Sequence, residues 1–189
     1  LFFIDKVANY RSYDSEGHPI QGKFAKWFEE SYKELIAEPQ YKDLLPFSLA
    51  KLHDGYFAED RRGILKDSYE DRTTSADDDV YNKIMRNKEQ LLSLDEPLRF
   101  IFSHSALREG WDNPNVFQIC TLNETQSATK KRQEIGRGLR LPVNQEGKRI
   151  FDVAGNMLYV VASEGYEDVA RAVQEGYEEG CGGTCGEGR

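Results

Sequence analysis

Four short apolar runs constrain the fold of this 189-residue chain more than any other feature. They cover residues 1–4, 99–102, 116–122 and 157–162, and each is rich in aromatic or β-branched side chains. A strand that alternates apolar with polar residues buries one face. A continuous apolar run buries both, as strands do in a parallel sheet covered by helices. Between the first two runs, Phe24, Trp27, Phe28, Tyr32, Leu35 and Ile36 recur at the spacing of one helical face, and the pattern ends before Pro39. Strand and helix alternate, so the expected architecture is α/β, a mostly parallel sheet flanked by helices. With 39% hydrophobic residues, 12% of the chain being aromatic, a sizeable core is expected and wholesale disorder is excluded.

The runs are unevenly spaced. Residues 5–98 separate the first from the second, far more than one crossover helix needs, so a long helical and hairpin-rich insertion is expected after the first strand, over about 41–98. Its acidic, turn-rich middle carries Asp77, Asp78 and Asp79, which would cap a helix bearing Val80, Ile84, Leu91 and Leu92 rather than hold a metal. No stretch approaches the roughly 20 consecutive apolar residues of a membrane span, and residues 1–4 lack the length and charged flank of a signal peptide. Three cysteines cannot all pair. A soluble cytoplasmic protein, with no membrane partner, is the expectation. The first residue, Leu1, stands directly inside an apolar run, which reads as a piece of a longer polypeptide.

Charge is distributed unevenly as well. The chain carries a formal net charge of −8, yet residues 127–149 hold seven Lys and Arg against Glu134 and Glu146. A positive segment in an acidic chain is a candidate anion site or ordinary solvated surface. Within it, Gln133, Arg137 and Arg140 stand at i, i+4 and i+7, one face of any helix that runs through them. Guanidinium groups stay charged and grip phosphate oxygens with two donors, which suits a nucleotide whose γ-phosphate gathers charge during hydrolysis. Gly136 and Gly138 would admit a ligand or a second domain, or would mark the helix end. Earlier, Gly110 and Asp112 lie in a turn-forming stretch beyond the carboxyl end of the strand at 99–102, where ligands bind in open α/β sheets. Asp112 would accept a hydrogen bond from a ribose hydroxyl or from Arg140, unless the stretch is only a turn.

Four look-alikes fail on chemistry. Residues 17–23 fit G-x-x-x-x-G-K, but Phe24 stands where a Mg²⁺-binding hydroxyl is needed and Pro19 removes a backbone donor. Asp95 and Glu96 precede a strand instead of ending one. Cys181 and Cys185 supply two thiolates where a structural zinc needs four ligands, and Ser103, His104 and Ser105 have no placed acid to complete a triad.

The stretch ALREGWDNP followed by QEIGRGLR resembles motifs V and VI of superfamily 2 helicases. The longer blocks FSHSALREGWDNPNVFQICTL and KKRQEIGRGLRLPVNQ, with LFFIDKVANYR and HDGYF, resemble the Res subunit of type III restriction enzymes over most of residues 1–166. That resemblance implies the second of two RecA-like motor domains over 1–166, followed at 167–189 by an acidic helix and Gly-rich tail. It implies Arg140 as arginine finger, Arg137 as its γ-phosphate partner, Gln133 as a polar organiser of the cleft, and Gly110, Asp112 and Gly136 as cofactor contacts. Ser103, Ser105 and Thr121 would face DNA phosphates. ATP and Mg²⁺ would be shared with the first RecA-like domain of the same polypeptide; double-stranded DNA and the modification methyltransferase subunit would be partners. The whole would be an ATP-dependent helicase or translocase of a site-specific deoxyribonuclease, and this fragment alone would be inactive. A superfamily 2 helicase unrelated to restriction, and a non-catalytic nucleic-acid-binding module, are the alternatives.

Overall fold

The computed structural model describes residues 1–42, 44–59, 63–66, 90–104, 113–122, 128–140, 142–151 and 156–162, with Arg171 and Glu175. The chain begins with strand β1 (Phe2–Ile4), a 3-10 turn (Val7–Asn9), the hairpin β2 (Arg11–Tyr13) and β3 (Pro19–Gln21), and helix α1 (Lys23–Ile36). The short helix α2 (Leu49–Leu52) leads into β4 (His53–Tyr56), and a small ribbon of β5 (Ala58–Glu59) and β6 (Leu65–Lys66) follows. After a 3-10 turn at Gln90–Leu92 come β7 (Phe100–His104), β8 (Gln118–Leu122), α3 (Ala128–Gly136) and β9 (Tyr159–Ala162).

Five strands form one sheet in the order β4-β7-β1-β8-β9, and every pairing is parallel. All four expected runs are strands of it. Register sets the two faces: Phe2 stands opposite Phe102 and Cys120, and Phe3 opposite Ser103 and Thr121. One face carries Ile4 and Phe102 into a buried cluster with Val7, Tyr10, Ala25, Phe57 and Leu65, against which Phe24 and Phe28 of α1 pack. Stacked rings of Phe2 and Phe102, 4.6 Å between centroids, lie at its centre. The other face holds Phe3 and Ile119 with Ile101, Tyr56, Val116 and Leu158 packed around them.

Helix α1 runs where the apolar spacing placed it. Its N-cap is Gly22, where any Cβ would sit 2.4 Å from the backbone of Asn9. Residues 17–23 are thus the second arm of a hairpin and the start of a helix. The stripe is only partly covered: Phe28 packs inward, while Trp27 and Leu35 are exposed. A polar relay anchors α1 to the sheet, because buried His53 pairs through Nδ1 with the Tyr10 hydroxyl at 3.0 Å and through Nε2 with Glu29 at 3.3 Å. Burial, reinforced by nearby Asp54, raises the Tyr10 phenol and keeps it protonated.

Two expectations need adjustment. The stretch 41–98 holds β4, which pairs with β7 inside the main sheet, so this part is sheet rather than appended insertion. Leu91 and Leu92 lie in a 3-10 turn, and residues 67–89, with Asp77, Asp78 and Asp79, fall outside the described residues. Burial on both faces does not extend to β9, where Tyr159 and Val161 are exposed because α1 covers the other half of that face. Among the described residues no helix is long and apolar enough to cross a membrane. Replacing Phe102, 1% exposed at the centre of the larger cluster, should therefore cost much of the stability: Phe102→Ala is expected to lower the unfolding free energy by about 3–5 kcal/mol, read from urea denaturation.

Candidate functional site

Parallel strands put all their carboxyl ends at one edge of the sheet, and the register places Ile4 beside both His104 and Leu122 there. One step inside, Tyr56, Ser103, Phe3, Thr121 and Ala162 form a row across all five strands. Ser103 is fully buried, and its hydroxyl lies 3.4 Å from the Tyr56 carbonyl and 3.3 Å from that of His104. Thr121 is 3% exposed, and its hydroxyl has no hydrogen-bond partner among the described residues. Both hydroxyls are buried within this domain. Burial, with acidic Asp54 and Glu96 nearby, pushes the Tyr56 phenol in this row up to about 12. Ser105, Gly110 and Asp112, expected just past β7, lie outside the described residues, as do Cys181 and Cys185.

Beyond β8 the positive segment forms α3 and the turn that ends it. Buried positions on α3 recur at Lys131, Glu134 and Ile135, continuing to Gly138. That is the i, i+3, i+4, i+7 stripe of a helix packed on one side. Ionised side chains are almost never this buried without partners, and neither Lys131 nor Glu134 lacks one. The outward positions are Thr129, Arg132 and Gln133. Gln133 is thus presented to whatever approaches this side, whereas its neighbour Glu134 is committed to the interior.

The helix does not run through to Arg140. It ends at Gly136, and the Arg137 and Gly138 amides donate to the carbonyls of Glu134 and Ile135 at 3.2 and 3.0 Å, the tightened last turn of a helix. Arg137 begins that turn, and Arg140 lies beyond it. Both are half-exposed and both have partners. The expected single helical face is therefore a helix followed by a turn, because the two glycines break the helix there. Those glycines differ in role. A Cβ on Gly138 would stand 2.4 Å from Leu158, which precedes β9, while a Cβ on Gly136 would meet nothing within 4 Å.

After Arg140 the chain forms a small hairpin. Val143 bridges Arg149, Ile150 donates to the Pro142 carbonyl at 2.9 Å, and Asn144 caps the turn by accepting from the amides of Glu146 and Lys148 at 2.9 Å each. Gly147 turns the chain with φ of +74°. Two side-chain amides fasten this hairpin, Asn115 to Val143 and Gln145 to Leu92 and Leu94. Neither fastening was read from the sequence, where Asn115 and Val143 stand 28 residues apart and an isolated Asn carries no sign of its partner. Among the described residues no group of three or more His, Cys, Asp or Glu is arranged to hold a metal.

Known proteins share this sequence. The Res subunit of the type III restriction-modification enzyme EcoP15I of Escherichia coli is 41% identical over 167 residues, 85% of this chain. The EcoPI Res subunit of Escherichia phage P1 is 40% identical over 167 residues, and the StyLTI Res subunit of Salmonella typhimurium is 40% identical over 172 residues, 79% of the chain. The chain belongs with the type III Res subunits. It corresponds to 16% of the length of each of these three relatives, about a sixth. No family model and no solved structure matches it.

In this Res segment the motif resembling motif VI is thus split between a helix and a clamped turn, and its two glycines are separable by experiment. Gly138→Ala should lower the melting temperature by several degrees, since Leu158 must move to admit the methyl. Gly136→Ala should leave it unchanged or raise it, because alanine is the better helix former and nothing obstructs it. Thermal melts of the two variants check both.

Proposed function

We propose that the chain is the second RecA-like motor domain of a type III restriction enzyme Res subunit, contributing to ATP hydrolysis that drives movement on double-stranded DNA. The observation that carries this reading is the 41% identity to a Res subunit over 85% of the chain, on a parallel α/β sheet whose positive segment packs one side of α3 inward and leaves Gln133 outward. In the complete polypeptide, ATP with Mg²⁺ held by the first RecA-like domain supplies the phosphoryl group. This chain's residues supply positive charge from the opposite side. Arg140 acts as the arginine finger and Arg137 as its partner at the γ-phosphate, while Gln133 and Gly136 present the helix end to the cleft, Gly136 with open space beside it. Fixed guanidinium groups stabilise charge that develops in the transition state, an effect worth about 10³-fold or more in related nucleotide hydrolases.

The fit of the site to a nucleotide rests on what α3 buries and exposes. Its inward stripe uses Lys131, Glu134 and Ile135 for the domain's own packing, and Gln133 remains outward with half-exposed Arg137 and Arg140 beyond it. Gly110 and Asp112, in the stretch that resembles motif V, complete the contacts on this reading. With the hydroxyls of Ser103 and Thr121 buried, DNA phosphates meet the segments that follow β7 and β8 instead. Sequence recognition comes from the modification methyltransferase subunit, and DNA cleavage from a nuclease domain of the same Res polypeptide. The complex works in the cytoplasm.

The test is DNA-stimulated ATP hydrolysis by the complete Res polypeptide with its modification subunit, wild type against Arg140→Ala. Turnover is expected to fall by about 10³-fold while DNA affinity stays within a few-fold of wild type. Loss of DNA affinity with turnover intact would mark a binding module whose positive segment grips phosphate and never meets a nucleotide.

A further inference from the structure

The hydrogen bonds between Asn115 and Val143 join two segments that the sequence keeps apart. Asn115 stands three residues after Asp112, and Val143 three residues after Arg140. The Asn115 Nδ2 donates to the Val143 carbonyl at 3.1 Å, and its Oδ1 accepts from the Val143 amide at 2.9 Å. One side chain thus satisfies both backbone groups of a distant residue, as a neighbouring strand would. Only a carboxamide offers a donor and an acceptor side by side at that spacing. A carboxylate keeps the acceptor and loses the donor.

Asn115 is itself held in place. Its amide donates to Asn113 Oδ1 at 2.9 Å, and Asn113 is 7% exposed, so the turn that presents the carboxamide is anchored in the interior. On the far side, Val143 belongs to the hairpin closed by Arg149 and by the Ile150-to-Pro142 bond. Gln145 repeats the device nearer the hairpin tip, with Nε2 donating to the Leu92 carbonyl at 2.8 Å and Oε1 accepting from the Leu94 amide at 3.3 Å. The hairpin following Arg140 is therefore clamped at its base to the turn at Asn113 and Asn115 and near its tip to the loop before β7.

We infer that Asn115 is a positioning residue for Arg140: by pairing with Val143 it fixes the chain leaving Arg140 to the turn at Asn113 and Asn115, and so holds the guanidinium in one place. The inference rests on the motor reading above and extends it to a residue that touches no ligand. A displacement of about 1 Å in a catalytic group costs up to about a hundredfold in rate, so a clamp at this distance has a measurable effect.

The test compares Asn115→Ala, Asn115→Asp, Arg140→Ala and the double variant Asn115→Ala/Arg140→Ala in the complete Res polypeptide with its modification subunit, by single-turnover and steady-state ATP hydrolysis with DNA. Asn115→Ala is expected to lower kcat by about tenfold to a hundredfold with KM for ATP and DNA affinity within about threefold of wild type. Asn115→Asp, retaining one of the two bonds, should fall between. In the Arg140→Ala background the Asn115→Ala change should have no further effect, because the residue acts through the arginine; a general loss of fold would instead lower the rate equally in both backgrounds. Equal effects in both backgrounds, or a kcat within twofold of wild type for Asn115→Ala, would overturn the inference while leaving the motor reading intact. Normal turnover by Arg140→Ala would remove Arg140 as the arginine finger, overturning that part of the motor reading and the inference with it. Should Asn115→Ala melt well below wild type, the same comparison with Asn115→Asp decides.

Discussion

Everything in this domain hangs on a three-residue strand. Phe2–Ile4 is hydrogen-bonded on both sides, to β7 and to β8, and its side chains alternate between the two cores: Ile4 in one, Phe3 in the other. A strand this short has little stability of its own; pairing on both edges and burial on both faces are what hold it. Through it the strands β7 and β8 share one frame. The segment resembling motif V follows β7 in sequence and the segment resembling motif VI follows β8, and the strand between sets β7 and β8 two inter-strand steps apart, about 10 Å.

That frame alone does not place the arginines, because helix α3 stops at Gly136 and the chain beyond it leaves regular structure. What replaces helix geometry is a set of specific polar contacts: the tightened last turn, the close seat of Gly138 against Leu158, and the amide clamps on the following hairpin. Each of these fixes backbone rather than side chain. A long guanidinium stem has several rotatable bonds, so a firmly held backbone is the part of its placement that a domain can build in before any ligand arrives.

The legible part of the fold was the part written in continuous apolar runs. All four such runs are strands, and the aromatic spacing of Phe24, Phe28 and Tyr32 marks α1 to its last turn. Strand β4 escaped because His53, Asp54, Gly55 and Tyr56 form no apolar run; it is an edge strand, intermediate in burial throughout, and it is stabilised by the relay through His53 and by pairing with β7. The periodicity of Gln133, Arg137 and Arg140 was legible as spacing but not as geometry, since glycine-driven termination decides how far a helix carries a pattern. The burial of Ser103 and Thr121 is likewise set by the register of neighbouring strands, which no single strand reveals.

Within α3 the polar side chains are divided between the interior and the surface. If its charges served only solubility, they would all face water. Instead Lys131 and Glu134 are interior and Arg132 and Gln133 exterior, so the same short helix meets the domain with one polar set and the outside with another. Burying ionised groups is costly unless their partners are fixed, and a helix held this way cannot easily rotate to hide its outer face. The interior charges thus set the orientation of the exterior ones. The buried stripe of α3 thereby fixes the helix from which the chain carrying Arg137 and Arg140 departs.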